Sequence, residues 1–216
     1  MAEVKFCGLT LPEDAAFAAS LGAAFVGAVF APGPRTRTAA EARLLFDAAA
    51  GAGSPRCVGV FGSQSPAEII AIADAARLDV VQLHGASEPD AVDEIRQHFA
   101  GEVWRVLRVR GAPRESELRA APVGVDAVVV DALVDGALGG TGVAVDWDAL
   151  AAAIERAGRP ARLILAGGLR AENVGRAVEL VAPDVVDVSS GVESAPGIKD
   201  HERMRAFALA AARGGR

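Results

Sequence analysis

The chain of 216 residues is long enough for one large domain, and 51% of its residues are hydrophobic, which is enough to fill a sizeable core. Because aromatic residues are few and tyrosine is absent, that core must be mainly aliphatic. The formal net charge of −6 and the scattered arginines argue against a nucleic-acid surface, and no long uninterrupted apolar run predicts a transmembrane helix.

The two cysteines, Cys7 and Cys57, lie in separate apolar runs that are each typical of a buried strand. No charged region followed by a long apolar stretch precedes the first run, so a secretory signal is not expected. We therefore expect both thiols to be reduced and the protein to be cytoplasmic.

Short β-branched apolar runs alternate with longer segments of helical periodicity along the chain. The predicted strands are Val4–Cys7, Phe25–Phe30, Arg56–Phe61, Val80–Leu83, Val103–Val109, Ala127–Asp131, Arg162–Ala166 and Val185–Val188. Helices are predicted to begin near Pro12, Ala39, Pro66, Pro89, Glu115, Asp146, Ala171 and Lys199. Strict alternation predicts a parallel sheet, and eight such units predict a single (β/α)8 barrel (a TIM barrel) over residues 1–216 rather than a doubly wound open sheet.

The active site of such a barrel lies at the carboxyl ends of the strands, so the residues that end each strand are the candidates for function. Cys7 ends the first strand, where a thiol is either a small buried hydrophobe or, with a lowered pKa, a base or nucleophile. Asp131 ends the sixth strand after three valines, and a carboxylate in that position must be solvated, paired or functional.

Polar side chains at other strand ends are candidate substrate-binding residues, although each of them could have a purely structural role. Arg35 and Arg37 follow the second strand, where a guanidinium could bind a carboxylate or phosphate or simply be solvated. Gln82 and His84 end the fourth strand, and Arg108 ends the fifth.

Small residues follow strands 7 and 8, where barrels of this kind commonly bind phosphate through backbone amides. A glycine-rich loop after strand 6 could approach an anion in the same way. The candidate phosphate-binding residues are Gly167, Gly168, Ser189, Ser190 and Gly191, together with Gly139, Gly140 and Gly142 after strand 6.

No Cys/His spacing fits a zinc site, Asp187 is expected to stand apart from other carboxylates, and no nucleotide-binding motif is present. The chemistry expected is therefore proton transfer on a small phosphorylated molecule, without a metal or a cofactor.

Several motifs at these strand ends resemble the phosphoribosylanthranilate isomerase family, and the resemblance covers nearly the whole chain. The most specific are Lys-x-Cys-Gly at residues 5–8, Gln-Leu-His-Gly at 82–85 and Asp-Val-Ser-Ser-Gly-Val-Glu at 187–193. Weaker matches are Val58–Phe61, Gly139–Gly142 with Asp146–Trp147, Leu165–Leu169 and Pro196–Asp200.

The resemblance implies an Amadori rearrangement of N-(5-phosphoribosyl)anthranilate in tryptophan biosynthesis, with Cys7 as general base and Asp131 as general acid. It also implies that an arginine of the second loop contacts the anthranilate carboxylate; Arg35 matches best, with Arg37 as the alternative. A thiolate at Cys7 requires positive charge nearby, for which Lys5 and Arg35 are candidates. The acid must carry its proton at the start of the reaction.

Other phosphate-binding barrels remain as alternatives: a metal-dependent pentose-phosphate epimerase, a thiamin phosphate synthase, or a dual-substrate isomerase that would have an aspartate base in place of Cys7. A barrel that binds without catalysing is a further alternative, against which the presence of both Cys7 and Asp131 argues. The expected partner is a small phosphorylated substrate, with no nucleic acid or membrane, and the protein is expected to be a monomer or a homodimer.

Overall fold

The computed structural model describes residues 1–85, 89–111, 113–121, 123–132 and 145–214. Within these ranges, eight parallel strands pair in chain order and the first pairs with the last, which closes a barrel. The strands are β1 (Glu3–Phe6), β2 (Phe25–Val29), β3 (Arg56–Phe61), β4 (Val80–Leu83), β5 (Glu102–Val109), β6 (Ala127–Ala132), β7 (Leu163–Leu165) and β8 (Val185–Val188). The predicted (β/α)8 barrel is confirmed.

A helix follows each strand and covers the outside of the barrel. The helices are α1 (Pro12–Ser20), α2 (Ala39–Ala50), α3 (Pro66–Ala76), α4 (Pro89–His98), α5 (Glu115–Ala120), α6 (Trp147–Ala157), α7 (Val174–Val181) and α8 (His201–Arg213). Strands 3, 4 and 8 and the starts of the first five helices agree with the sequence prediction. The capping box predicted by the sequence from Ser65 to Glu68 is formed.

The last two helices begin later than the sequence predicted. The Asn173 side chain accepts a hydrogen bond from the Arg170 amide at 2.8 Å and donates to the Gly168 carbonyl at 3.0 Å, which holds the preceding segment as a turn until Val174. Lys199 belongs to a short strand, and Asp200 caps α8 by accepting hydrogen bonds from the first helical amides.

That short strand is part of a hairpin that the sequence did not predict. After a 3-10 turn at Ser190–Val192, β9 (Glu193–Ala195) pairs in antiparallel fashion with β10 (Ile198–Lys199). Gly197, with a φ of +85°, forms the turn, and the Thr10 hydroxyl donates to its carbonyl. The hairpin is thereby fixed against the loop that follows β1.

The interior of the barrel changes from apolar to polar along its axis. Alternate residues of each strand face inward, and at the amino-terminal end these residues form their own apolar cluster, in which Phe25 and Trp104 pack edge to face with centroids 4.9 Å apart. Arg162 lies over both rings and closes that end. Toward the carboxyl ends, several inward positions are polar, among them Lys5, Gln82 and Asp187. No helix in the described part of the chain combines the length and apolar character needed to cross a membrane.

Candidate active site

The buried polar residues of the barrel lie on the inward face near the carboxyl ends of the strands. Strand alternation places Lys5 and Cys7 on the same face at β1, just as it places Gln82 and His84 on one face at β4. Within β5 and β6, Arg108 and Asp131 are paired in register and therefore share a face. The inward polar residues with at most 8% exposure are Lys5, Cys7, Gln82, His84, Asp131 and Asp187.

A buried ion pair lies beside the Cys7 thiol. Lys5 is fully buried, and its Nζ lies 2.9 Å from Asp187 Oδ2 across the β1–β8 pairing. Gly27 of β2 leaves room for this group, because a Cβ at that position would lie only 3.2 Å from Cys7 Sγ and 3.4 Å from Lys5 Nζ. The thiol, the ammonium and the carboxylate thus share one packed corner of the barrel.

Burial raises the pKa of the Cys7 thiol above its ordinary value, and Asp187 adds to this shift, while Lys5 and Lys199 oppose it. Burial alone would lower the pKa of the Lys5 ammonium, but Asp187 and Cys7 together raise it. Lys5 therefore stays charged next to the thiol. The positive charge that the sequence predicted near Cys7 is present, although in the free protein it does not outweigh burial.

Asp187 does not stand apart from other carboxylates in space, which corrects the expectation from sequence. Burial raises its pKa, Lys5 lowers it, and the charge of Asp131 raises it again, so Asp131 and Asp187 interact electrostatically. The 2.9 Å contact with an ammonium whose own pKa is raised argues for an ionised pair. Asp187 Oδ1 is buried without a hydrogen-bond partner among the described residues, which leaves one acceptor for a bound ligand.

Asp131 lies on β6, which β7 and β8 separate from β1 in the closed barrel, and it contacts His84. The Nε2 atom of His84 lies 3.2 Å from Asp131 Oδ2, and both side chains are buried. Gly167, with a φ of +85°, packs against the Asp131 carboxyl group, since a Cβ there would lie 2.8 Å from Asp131 Oδ1. His84 Nδ1 and Gln82 Oε1 are buried without partners among the described residues, so both can bind a polar ligand.

Arg35 reaches from the second loop across Gly8 to the end of β1. A Cβ at Gly8, whose φ is +67°, would lie 2.6 Å from Arg35 Cδ, so this crossing requires glycine. The guanidinium forms a bidentate pair with Glu193, with both N···O distances 2.7 Å. Arg37 instead lies 3.6 Å from Glu41 at the start of α2. Of the two predicted arginines, the structure brings Arg35 to the end of β1, beside Gly8.

The predicted phosphate loops after β7 and β8 lie against each other. Gly167 and Gly168 both have positive φ values, +85° and +67°. A Cβ at Gly191 would overlap the carbonyl of Leu169, so the two loops can approach this closely only with glycine at that position. The 3-10 turn begins at Ser190, and the first amides of a helical turn have no partner within it.

Three of the predicted phosphate residues, Gly139, Gly140 and Gly142, lie outside the described residues. In the part of the chain that the structure describes, no group of three His, Cys, Asp or Glu side chains could hold a metal ion.

Four charged residues of this site have contacts that the sequence analysis did not anticipate. Lys5 and Asp187 form the central ion pair, and Glu193 and Lys199 form a second buried pair at 2.9 Å. The last residue of each strand does not reveal the first pair. Strand alternation predicts it, because Lys5 and Asp187 lie two residues before Cys7 and Ser189 and therefore share their inward face.

Comparison with known proteins gives a consistent result over nearly the full chain. Residues 4–210 match the family model described as N-(5′-phosphoribosyl)anthranilate (PRA) isomerase. The chain is 40% identical over 211 residues to the N-(5′-phosphoribosyl)anthranilate isomerase of Rubrobacter xylanophilus, covering 98% of this chain and 99% of that protein.

Two solved structures are also similar. Phosphoribosyl anthranilate isomerase from Thermus thermophilus superposes with a TM-score of 0.82 at 35% identity, covering 97% of this chain and 98% of that one. A phosphoribosyl anthranilate isomerase in complex with reduced 1-(o-carboxyphenylamino)-1-deoxyribulose 5-phosphate superposes with a TM-score of 0.80 at 31% identity, covering 98% and 99% of the two chains.

Proposed function

Because the chain belongs to the N-(5′-phosphoribosyl)anthranilate isomerase family, we propose that Cys7 is its general base and Asp131 its general acid. The enzyme converts N-(5′-phosphoribosyl)anthranilate to 1-(2-carboxyphenylamino)-1-deoxyribulose 5-phosphate in tryptophan biosynthesis. The observation that carries the proposal is that a buried thiol directly after β1 and a buried carboxyl group on β6 belong to one closed barrel.

The first step is ring opening. Asp131 donates its proton to the furanose ring oxygen, the C1′–O bond breaks, and the nitrogen lone pair forms a protonated Schiff base at C1′. An Nε2–H tautomer of His84 donates to Asp131 Oδ2 at 3.2 Å and holds the plane of the carboxyl group, so that Oδ1 carries the proton. His84 is thus assigned to the orientation of the acid as well as to the lining of the substrate site.

The second step is proton abstraction. The positive charge of the Schiff base acidifies the proton on C2′, and the Cys7 thiolate removes it to give an enolamine. Tautomerisation of the enolamine gives the ketone. Acid and base lie on different sides of the sugar, and each such group typically contributes about 10²- to 10⁴-fold to the rate.

Lys5 stabilises the base in its charged form. Its ammonium, which is fully buried beside the thiol, lowers the pKa of Cys7 against the effect of burial. Asp187 keeps Lys5 in place through the 2.9 Å ion pair. The Schiff base adds a second positive charge to this corner at the moment when the thiolate is needed.

The two charged ends of the substrate match two further parts of the site. The loops after β7 and β8, with Gly167, Gly168, Ser189, Ser190 and Gly191, offer backbone amides to the phosphate. The Arg35 guanidinium binds the anthranilate carboxylate, supported by its position across Gly8 at the end of β1. The sugar then lies between Cys7 and Asp131, within reach of Gln82 and Arg108.

The Cys7 thiol is expected to ionise at a higher pH than an ordinary thiol. Because the pKa of Cys7 is raised in the free protein, only a small fraction is thiolate at neutral pH, and that fraction grows about tenfold per pH unit below the pKa. The measurement is the rate at which iodoacetamide alkylates Cys7 between pH 6 and 10 in a Cys57→Ser background, because the thiolate is the form that reacts. A midpoint at or below that of a free thiol would contradict the raised pKa.

Two variants serve as controls for this profile. Lys5→Met is expected to move the rising limb to higher pH, because it removes the charge that opposes burial, whereas Lys5→Arg retains that charge and moves it less. The same pH-dependent alkylation in the Cys7→Ser, Cys57→Ser double variant would show that the reacting group is not Cys7.

We also infer that residues 1–216 form one domain, supported by the closure of a single barrel over the described residues.

A cytoplasmic location is proposed because a biosynthetic isomerase with two unpaired cysteines is suited to a reducing compartment. The similar phosphoribosylanthranilate isomerase of Thermotoga maritima is dimeric and has also been obtained as monomers, so monomer and homodimer are both candidate states for this chain.

A further inference from the structure

Glu193 lies at the centre of a buried cluster that joins three loops at the mouth of the barrel. Its two carboxylate oxygens accept hydrogen bonds from Arg35 Nε and Nη2, both at 2.7 Å, and Oε1 also accepts from Lys199 Nζ at 2.9 Å. Burial raises the pKa of Glu193, but Arg35 and Lys199 outweigh this and lower it below the ordinary value. Glu193 is therefore ionised at neutral pH beside Arg35, while burial lowers the pKa of Lys199, its second partner.

Lys199 fixes this carboxylate to the catalytic end of β1. Besides Glu193, its Nζ donates to the carbonyl of Cys7 at 2.7 Å and to the carbonyl of Ser189 at 3.1 Å. All three donor positions of the ammonium are thus occupied. One side chain connects the backbone of the proposed base, the proposed phosphate loop and the carboxylate that holds Arg35.

The hairpin that carries Glu193 and Lys199 is itself anchored to α1. The buried carboxylate of Asp14 accepts a hydrogen bond from the Lys199 amide at 3.1 Å and lies 2.9 Å from His201 Nε2. The Thr10 hydroxyl donates to Gly197 at the turn. Glu193 therefore rests on a support that does not depend on Arg35.

We propose that Glu193 is a positioning residue that orients Arg35 toward the anthranilate carboxylate and so determines recognition of that group. The bidentate pair engages the Nε and Nη2 edge and fixes the guanidinium plane, which leaves the Nη1 edge to bind an anion. Without this partner the long side chain would have to lose its rotamer freedom on binding, which weakens affinity. The inference rests on the proposed contact between Arg35 and the carboxylate.

The test is a binding measurement, which does not require turnover. Two ligands are compared: reduced 1-(o-carboxyphenylamino)-1-deoxyribulose 5-phosphate, and its counterpart made from aniline, which lacks the carboxylate. Each ligand is titrated calorimetrically into wild type, Glu193→Gln, Arg35→Met and the double variant. Glu155→Gln, an exposed position on α6, is the matched control. Thermal unfolding of each variant is measured in parallel, and Glu193→Asp, which keeps the charge but shortens the side chain, replaces Glu193→Gln if the latter does not fold.

We expect Glu193→Gln to weaken binding of the carboxylated ligand about tenfold, which is the size expected when a charge-assisted contact is lost. Binding of the aniline counterpart should be unchanged. The double variant should bind no more weakly than Arg35→Met, because Glu193 acts through Arg35. If Arg35→Met itself has no effect, the proposed carboxylate contact is wrong. If Arg35→Met weakens binding of the carboxylated ligand, the contact between Arg35 and the carboxylate stands. The positioning role of Glu193 is then overturned if Glu193→Gln has no effect on binding, or if it weakens binding of both ligands equally.

Discussion

Asp131→Asn is expected to lower kcat about 10²- to 10⁴-fold with little change in KM. The amide has nearly the shape of the carboxyl group and can keep the contact with His84 Nε2, which is 3.2 Å from Oδ2 in the native protein. It has no acidic proton to give to the ring oxygen, so ring opening becomes slow. The measurement is the fluorescence decay of phosphoribosylanthranilate generated in situ from anthranilate and ribose 5-phosphate.

Asp74→Asn is the matched control for this variant. It makes the same substitution and the same change in net charge at an exposed position on α3. Asp74→Asn should retain wild-type activity. If Asp131→Asn also retained more than half of the wild-type rate, Asp131 would not be the acid.

Cys7→Ser is expected to lower kcat by a similar factor, about 10²- to 10⁴-fold. Serine occupies the same space, and Lys5 can still donate to it, but an alcohol loses its proton far less readily than a thiol. Removal of the C2′ proton therefore becomes the slow step. The same fluorescence assay gives the rate, and thermal unfolding shows that the loss is not a loss of fold.

Cys57→Ser provides a control at the other thiol of the described chain. Cys57 lies half-buried on β3, and burial raises its pKa to about 12, so it takes no part in proton transfer near neutral pH. This variant should keep its activity. Equal losses in both serine variants would point to a general effect on the barrel rather than to a base at position 7.

The location of the proposed catalytic pair could be predicted from sequence because parallel strands bring their carboxyl ends together. Cys7 and Asp131 each end an apolar run, so barrel closure alone places them at one mouth. The loops with Gly167 and Ser189 follow from the same rule. In this fold, the ends of strands carry most of the information about the site.

The support of the site could not be predicted in the same way, because it depends on contacts between distant segments. Glu193 and Lys199 meet only because the hairpin folds back on Asp14, which is 185 residues from Lys199 in the chain. The local signal for that hairpin is no more than the turn at Gly197. Likewise, Asp187 and Asp131 interact because the barrel closes, and the spacing of the two residues in the sequence does not predict this interaction.

The assignment of roles is tested most directly by the kinetic isotope effect of deuterium at C2′ of the substrate. If Asp131 opens the ring and Cys7 then removes the C2′ proton, Cys7→Ser should show a large primary effect on kcat/KM, because proton abstraction limits its rate. Asp131→Asn should show almost none, because ring opening limits it instead. The same isotope effect in both variants, or a large one only in Asp131→Asn, would contradict the assignment of the thiol as base and the carboxyl group as acid.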